Sequence, residues 1–180
     1  MALKATIFKV DLHVADMDRG YYGDHALVIA RHPSENDERM MVRVLAFALH
    51  AHQALAFGKG IGADDEPDLW QRDLTGAIQS WIDMGQPDER RIRRACGRAT
   101  RVFVYAYGDR AVDAWWEKTA PHVERVGNLA VTKLSAEAVR AVGRLAARTM
   151  EAQCTIQDGQ VWVTARDESV PVDLLPLLRP

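Results

Sequence analysis

From Pro33 to Ala106 the sequence reads as helix, strand, strand, helix, strand, and that order calls for a mixed α+β core. Pro33-Ser34 opens the first helix, with Ser34 as its N-cap and Glu35, Asp37 and Glu38 in the first turn, where the helix dipole favours anions. The apolar stripe Met41, Val42, Leu45, Ala48, Leu49 and Leu55 carries this helix to about Phe57, and Glu38 and His52 share the stripe by helical phase. Gly58 to Gly62 breaks it, and the acidic loop Asp64-Asp65-Glu66 leads into a strand over Asp68 to Arg72. A second strand spans Ala77 to Met84 and stops at Gly85. Pro87-Asp88-Glu89 starts the next helix, which runs to about Ala99, and the apolar run Arg101 to Ala106 has the character of a buried strand.

Two hairpins flank this core. Upstream, Thr6 to Val14 alternates as a half-buried strand, Asp16 to Gly20 turns, and Tyr21 to Arg31 returns antiparallel. Downstream come a helix near Asp109 to Thr119, a strand at Leu129 to Leu134 and a Ser135-capped helix to about Arg148. The second hairpin joins Cys154-Thr155-Ile156 to Val161-Trp162-Val163 through Asp158-Gly159, a type I′ turn signal. The Pro- and Leu-rich tail, Val170 to Pro180, is expected to dock on the body rather than fold alone. With 180 residues, 48% hydrophobic and 27% charged, the chain can bury roughly 70% of its unfolded surface and needs only one core, so residues 1–180 are expected to form a single compact domain.

No apolar run reaches the length of a signal peptide or a membrane span, which points to the cytoplasm and away from membrane partners. Cys96 and Cys154 lie in neither a C-x-x-C nor a Cys/His ligand spacing, so both read as small core residues without a disulfide partner. A net charge of −2 argues against a protein that coats nucleic acid non-specifically, while leaving room for a local basic patch.

The candidate chemistry rests on two carboxylates. Asp68 in Pro67-Asp68-Leu69-Trp70 and Asp83 in Trp81-Ile82-Asp83-Met84 each stand at the end of an otherwise apolar strand. A carboxylate buried there without a partner costs several kcal/mol. A shared Mg²⁺ or Mn²⁺ would remove that penalty, since hard oxygen ligands suit a cation that keeps its waters and can activate one for attack on phosphorus. The plainer alternative is that both acids cap turns or pair with nearby arginines.

The spacing of the two acids, with Pro67 before the first, resembles the PD-(D/E)xK phosphodiesterase superfamily, except that Gly85 stands where its lysine belongs. Over nearly the full length the chain resembles the bacterial YaeQ family, on Met1-Ala-Leu-Lys-Ala-Thr-Ile-Phe, Ala15-Asp16-Met17-Asp18-Arg19, Tyr21-Tyr22, Arg31-His32-Pro33-Ser34-Glu35, Asp37-Glu38-Arg39 and Gly85-Gln86-Pro87-Asp88-Glu89. The resemblance implies a compact variant of the restriction-endonuclease-like fold. It also implies a metal shell to which a glutamate of the first helix contributes, which makes Glu38 a third ligand beside Asp68 and Asp83.

Gln86 follows Asp83 by three residues and can orient a phosphate or a water, though it cannot replace a lysine's charge. Arg90, Arg91, Arg93, Arg94 and Arg98 crowd the following helix around Ile92, Ala95 and Ala99. They are either a solvated face or a phosphate-tracking patch with Arg90, Arg91 and Arg94 as its contacts. His50 and His52 are two apart and cannot make an i, i+4 metal pair, and Trp70 and Trp81 share strand parity with the acids, in place to stack bases or to pack. Two functions compete: a Mg²⁺- or Mn²⁺-dependent nuclease-like phosphodiesterase acting on DNA or RNA through Asp68, Asp83 and Gln86, and a non-catalytic nucleic-acid-binding or transcription-associated module on the same fold.

Overall fold

In the computed structural model, residues 3–60 and 64–180 are described. Two long strands open the chain, β1 (Thr6–Asp16) and β2 (Tyr21–Arg31), paired antiparallel without a break from Thr6↔Arg31 to Asp16↔Tyr21. Helix α1 (Asp37–Leu49) follows, then β3 (Leu55–Phe57), β4 (Leu69–Arg72) and β5 (Ile78–Met84). The chain continues through α2 (Glu89–Arg98), β6 (Ala99–Ala106), α3 (Arg110–Val123), β7 (Leu129–Leu134) and α4 (Ala136–Gly143). It closes with β8 (Thr149–Gln157), β9 (Gln160–Ala165), β10 (Glu168–Val172) and β11 (Leu174–Leu178).

The strands sort into a five-stranded sheet, β10-β9-β8-β1-β2, and a six-stranded sheet, β11-β7-β6-β5-β4-β3. In the second, β5, β6 and β7 run parallel, as strand–helix–strand connections require. One core gathers the inner faces of β1, β2 and β8 with α1, α4 and Leu69, Ile82, Met84, Tyr105 and Leu134 of the six-stranded sheet. A smaller core packs Trp81, Val102, Val104, Leu129 and Val131 against Ile92 and Ala95 of α2 and Val123 of α3. The layers are therefore sheet, helices α1 and α4, sheet, helices α2 and α3, a mixed α+β single domain. Sandwiching explains α1, buried at every position from Met40 to Ala48: a helix between two sheets has no solvent side to make polar.

Several boundaries differ from the sequence reading for local reasons. Helix α1 starts later because Asn36, not Ser34, caps it, accepting the Arg39 amide at 2.8 Å, while Ser34 Oγ is hydrogen-bonded to His32 Nδ1. It ends at Leu49, and Leu55 to Phe57 turns away as an edge strand instead of extending the helix. Helix α4 ends at Gly143 rather than Arg148. The glycine break lies partly outside the described residues, at 61–63. The C-terminal tail does more than dock: it supplies β10 to one sheet and β11 to the other, with Pro171 and Pro176 tolerated because both are edge strands. The hairpin turn is as expected, with Asp158 at φ 53° and Gly159 at φ 75°.

Candidate functional site

Strand phase puts the two aspartates together. Leu69 pairs with Ile82 and Trp70 with Trp81, so Asp68, just ahead of β4, lies beside Asp83 of β5 on the face that looks towards α2. Like charges side by side on a sheet repel unless something compensates. Part of the compensation is local: the Met84 amide donates to Asp68 Oδ2 at 3.0 Å, and the Trp81 indole donates to Asp83 Oδ2 at 3.0 Å. Both side chains are buried, Asp83 almost completely. Burial pushes the Asp68 carboxyl up from its usual range; the Arg39 charge pulls it back and the neighbouring Asp83 adds to the rise.

The larger compensation is two arginines. Arg91 of α2 grips Asp83 with both arms of its fork, Nε to Oδ2 and Nη2 to Oδ1, each at 2.8 Å. Arg39 of α1 donates to Asp68 Oδ1 at 2.6 Å and to Glu35 Oε1 at 2.9 Å. Behind it Arg43 and Glu35 form a buried ion pair, with contacts of 2.9 and 2.6 Å. Each acid is thus paired with an arginine. The two aspartates with Arg39 and Arg91 line an open cavity of about 350 Å³, whose walls also include Asp64, Glu66 and Gln86.

Among the expected site residues, then, Asp68, Asp83, Gln86 and Arg91 converge. The Gln86 amide donates to the Tyr107 carbonyl at 3.1 Å, where Gly108 lets it approach: a Cβ at 108 would come within 2.8 Å of Gln86 Nε2. Glu38 does not join them. It packs on α4, where a Cβ on Gly143 would lie 2.7 Å from Glu38 Cγ, and among the described residues no three His, Cys, Asp or Glu side chains gather as a cation site. The reason is helical phase: one residue along α1 separates Arg39, at the carboxylates, from Glu38, against the neighbouring helix.

The arginine row of α2 is also partly committed. Arg91, Arg94 and Arg98 donate to the backbone carbonyls of the acidic loop, to Glu66 at 2.9 Å, Asp64 at 2.8 Å and Asp65 at 3.0 Å respectively. Arg90 and Arg93 are exposed and carry no ion pair among the described residues. Trp81 is fully buried with the Arg98 guanidinium 5.2 Å from its ring centre, so it packs rather than stacking a base. Sequence reasoning missed Arg39 and Glu35, for which the available signal was the charged triple Glu35, Arg39, Arg43 at four-residue steps, the glutamate just ahead of the Asn36 cap and the two arginines on one face of α1.

The comparisons with known proteins agree with one another. The family model described as YaeQ protein matches residues 1–174. The YaeQ protein of Escherichia coli (strain K12) is 43% identical over 180 residues, covering 100% of this chain and 99% of that protein. The crystal structure of YaeQ protein from Xanthomonas axonopodis pv. citri superposes with a TM-score of 0.94 at 48% identity, covering 98% of this chain and 99% of that one. That from Pseudomonas syringae gives a TM-score of 0.93 at 34% identity, covering 98% and 97%. With likeness of sequence and structure running nearly end to end, the chain belongs to the YaeQ family.

Proposed function

We propose that this chain is a nucleic-acid-binding protein built on a nuclease-like, restriction-endonuclease-like centre that cleaves feebly or not at all. The reading rests chiefly on the Arg91–Asp83 and Arg39–Asp68 pairs. In a metal-dependent phosphodiesterase the carboxylates are neutralised by the cation, and a separate lysine meets the charge that develops on phosphorus. Here guanidinium groups already neutralise both acids, and the position two after Asp83 is Gly85. The donor set therefore fits a resident Mg²⁺ or Mn²⁺ poorly: both aspartates are engaged by arginines, and although Asp64 and Glu66 also line the cavity, among the described residues no three acids gather closely enough to hold an ion. Support for nucleic acid as the partner comes from the cavity's position at the N-terminal end of α2, which places Arg91 in its wall and leaves Arg90 and Arg93 of the same helix exposed, with forks suited to phosphate oxygens.

Binding and hydrolysis are separable tests. Affinity for DNA or RNA oligonucleotides should fall steeply with salt, and Arg90→Ala should lower the log–log salt slope by about one phosphate contact. Hydrolysis in Mg²⁺ or Mn²⁺ should stay near background for wild type. Brisk cleavage abolished by Asp83→Ala would overturn the degenerate reading, and absence of binding at low salt would overturn the nucleic-acid one.

A further inference from the structure

Four strands end the two sheets, and three carry the devices that keep sheet edges from pairing with strangers. Strand β10 has Pro171, β11 has Pro176 with a register break between 176 and 178, and β3 is only three residues long. Strand β2 has none of these: eleven residues, no proline, and an unbroken register with β1. A long, regular, unprotected edge is a template for another strand.

Which groups this edge presents follows from β1. The Lys9 amide bonds to the Arg148 carbonyl on the β8 side, so odd residues of β1 turn their main chain towards β8 and even ones towards β2. The even residues of β2 therefore aim their N–H and C=O groups outward. Among the described residues only the Ala30 carbonyl is used, accepting from Arg43 at 3.1 Å, and it keeps a second lone pair. The same even residues put their side chains on the exposed face, where Tyr22 is 67% and Val28 64% exposed, and Ile7, opposite Ala30, is 44% exposed.

We infer that β2 is a self-association edge, pairing antiparallel with β2 of a second copy about a two-fold axis through Ala26 to make one continuous sheet of ten strands. About that point the paired residues differ in kind but complement one another. Ala26 meets Ala26 in a hydrogen-bonded pair, and Tyr22 of the second copy lies opposite Ala30, next to Ile7. Asp24 of the second copy lies opposite Val28, whose other neighbour is Lys9, so opposite charges flank one valine. Tyr21 of the second copy lies opposite Arg31, each keeping its own partners, Arg19 and His25 for the tyrosine and Phe8 and Asp37 for the arginine. No like charges stand directly opposed, and a two-fold contact of this kind closes at a dimer.

Light scattering after gel filtration reads the result. The wild-type chain should have the mass of a dimer. Ala26→Pro removes an outward N–H that β1 does not use and should give a monomer with wild-type circular dichroism; Val28→Lys, on the exposed face, should do the same should the proline disturb folding. Thr164→Lys, on an exposed face of β9 away from this edge, should stay dimeric. A wild-type monomer at every concentration, a dimer that survives both β2 substitutions, or a monomer that pairs instead with a strand of another protein would each overturn the inference.

Discussion

At the C-terminal end of α1 the His50 ring packs on Phe103, 4.3 Å between centres, and its Nε2 is hydrogen-bonded to the Tyr105 hydroxyl at 2.6 Å. Burial, helped by the charges of Arg19 and Arg101, pushes its pKa down to about 3. The imidazole is therefore neutral in the folded chain and protonates below about 6.5 in the unfolded one. Its contribution to stability is whole above that pH and is lost as pH falls from 6.5 towards 3, by up to about 1.4 kcal/mol per unit. Urea titrations at stepped pH should show the loss, and His50→Asn should flatten it across that window. Arginine replacements test the carboxylates in the same way: Arg91→Ala should destabilise by about 3 kcal/mol by leaving Asp83 buried and unpaired, and Mn²⁺ should then raise the melting temperature of the variant but not of wild type. If Mn²⁺ stabilises both alike, the arginine does not compete with a cation. Replacing Gly85 by lysine should restore little activity, because φ 87° there strains any residue with a side chain. The aspartates were legible in the sequence because strand parity is local. Their arginine partners were less so, since Arg39 reaches Asp68 across 29 positions of chain and only the packing of α1 brings them together.

Elements differ in how much of them local pattern determines. Strands β1 and β2 are read directly from alternation, since each has one face in the core and one in water. The tail is not: β10 and β11 borrow their regularity from β9 and β7, and a Pro-bearing segment shows no sign of that in isolation. Strand β3 was absorbed into the helical stripe of α1, because Leu55 continues the apolar period although the chain has already turned at His50. What places β3 against the carboxylate strand is Gly58. Its amide donates to the Asp68 carbonyl at 2.9 Å, and a Cβ at 58 would stand 1.9 Å from the Pro67 carbonyl oxygen. Backbone cannot yield as a flexible side chain does, so Gly58→Ala should destabilise by about 1–3 kcal/mol, the usual range for overpacking. It should also loosen the Asp68 end of the site, and amide exchange at Met84, which donates to Asp68, is the direct readout; protection unchanged from wild type would show that the close approach is not what holds Asp68.

Over the whole molecule, the unusual feature is a helical layer shared by two sheets. Because α1 and α4 contribute to the same core as the inner faces of both sheets, the buried residues of the five-stranded sheet belong to that shared interior alone. The smaller core beneath α2 and α3 is built on the opposite face of strands that the larger core also needs: Ile82 and Met84 point one way, Trp81 and Asp83 the other. Loss of the larger core would therefore strip β5 of half its packing. The expected outcome is a single cooperative transition in denaturant. Tryptophan fluorescence, weighted to Trp81, Trp115 and Trp116 of the smaller core, should change at the same midpoint as the far-ultraviolet circular dichroism of the helices and strands together. Met41→Ala, a substitution between the sheets at a fully buried position, should lower both midpoints together, with a loss of about 2–5 kcal/mol. A fluorescence transition that stays in place while the circular dichroism shifts would mean that the helices over the carboxylate face fold as a separate unit. The site could then open without unfolding the rest of the chain.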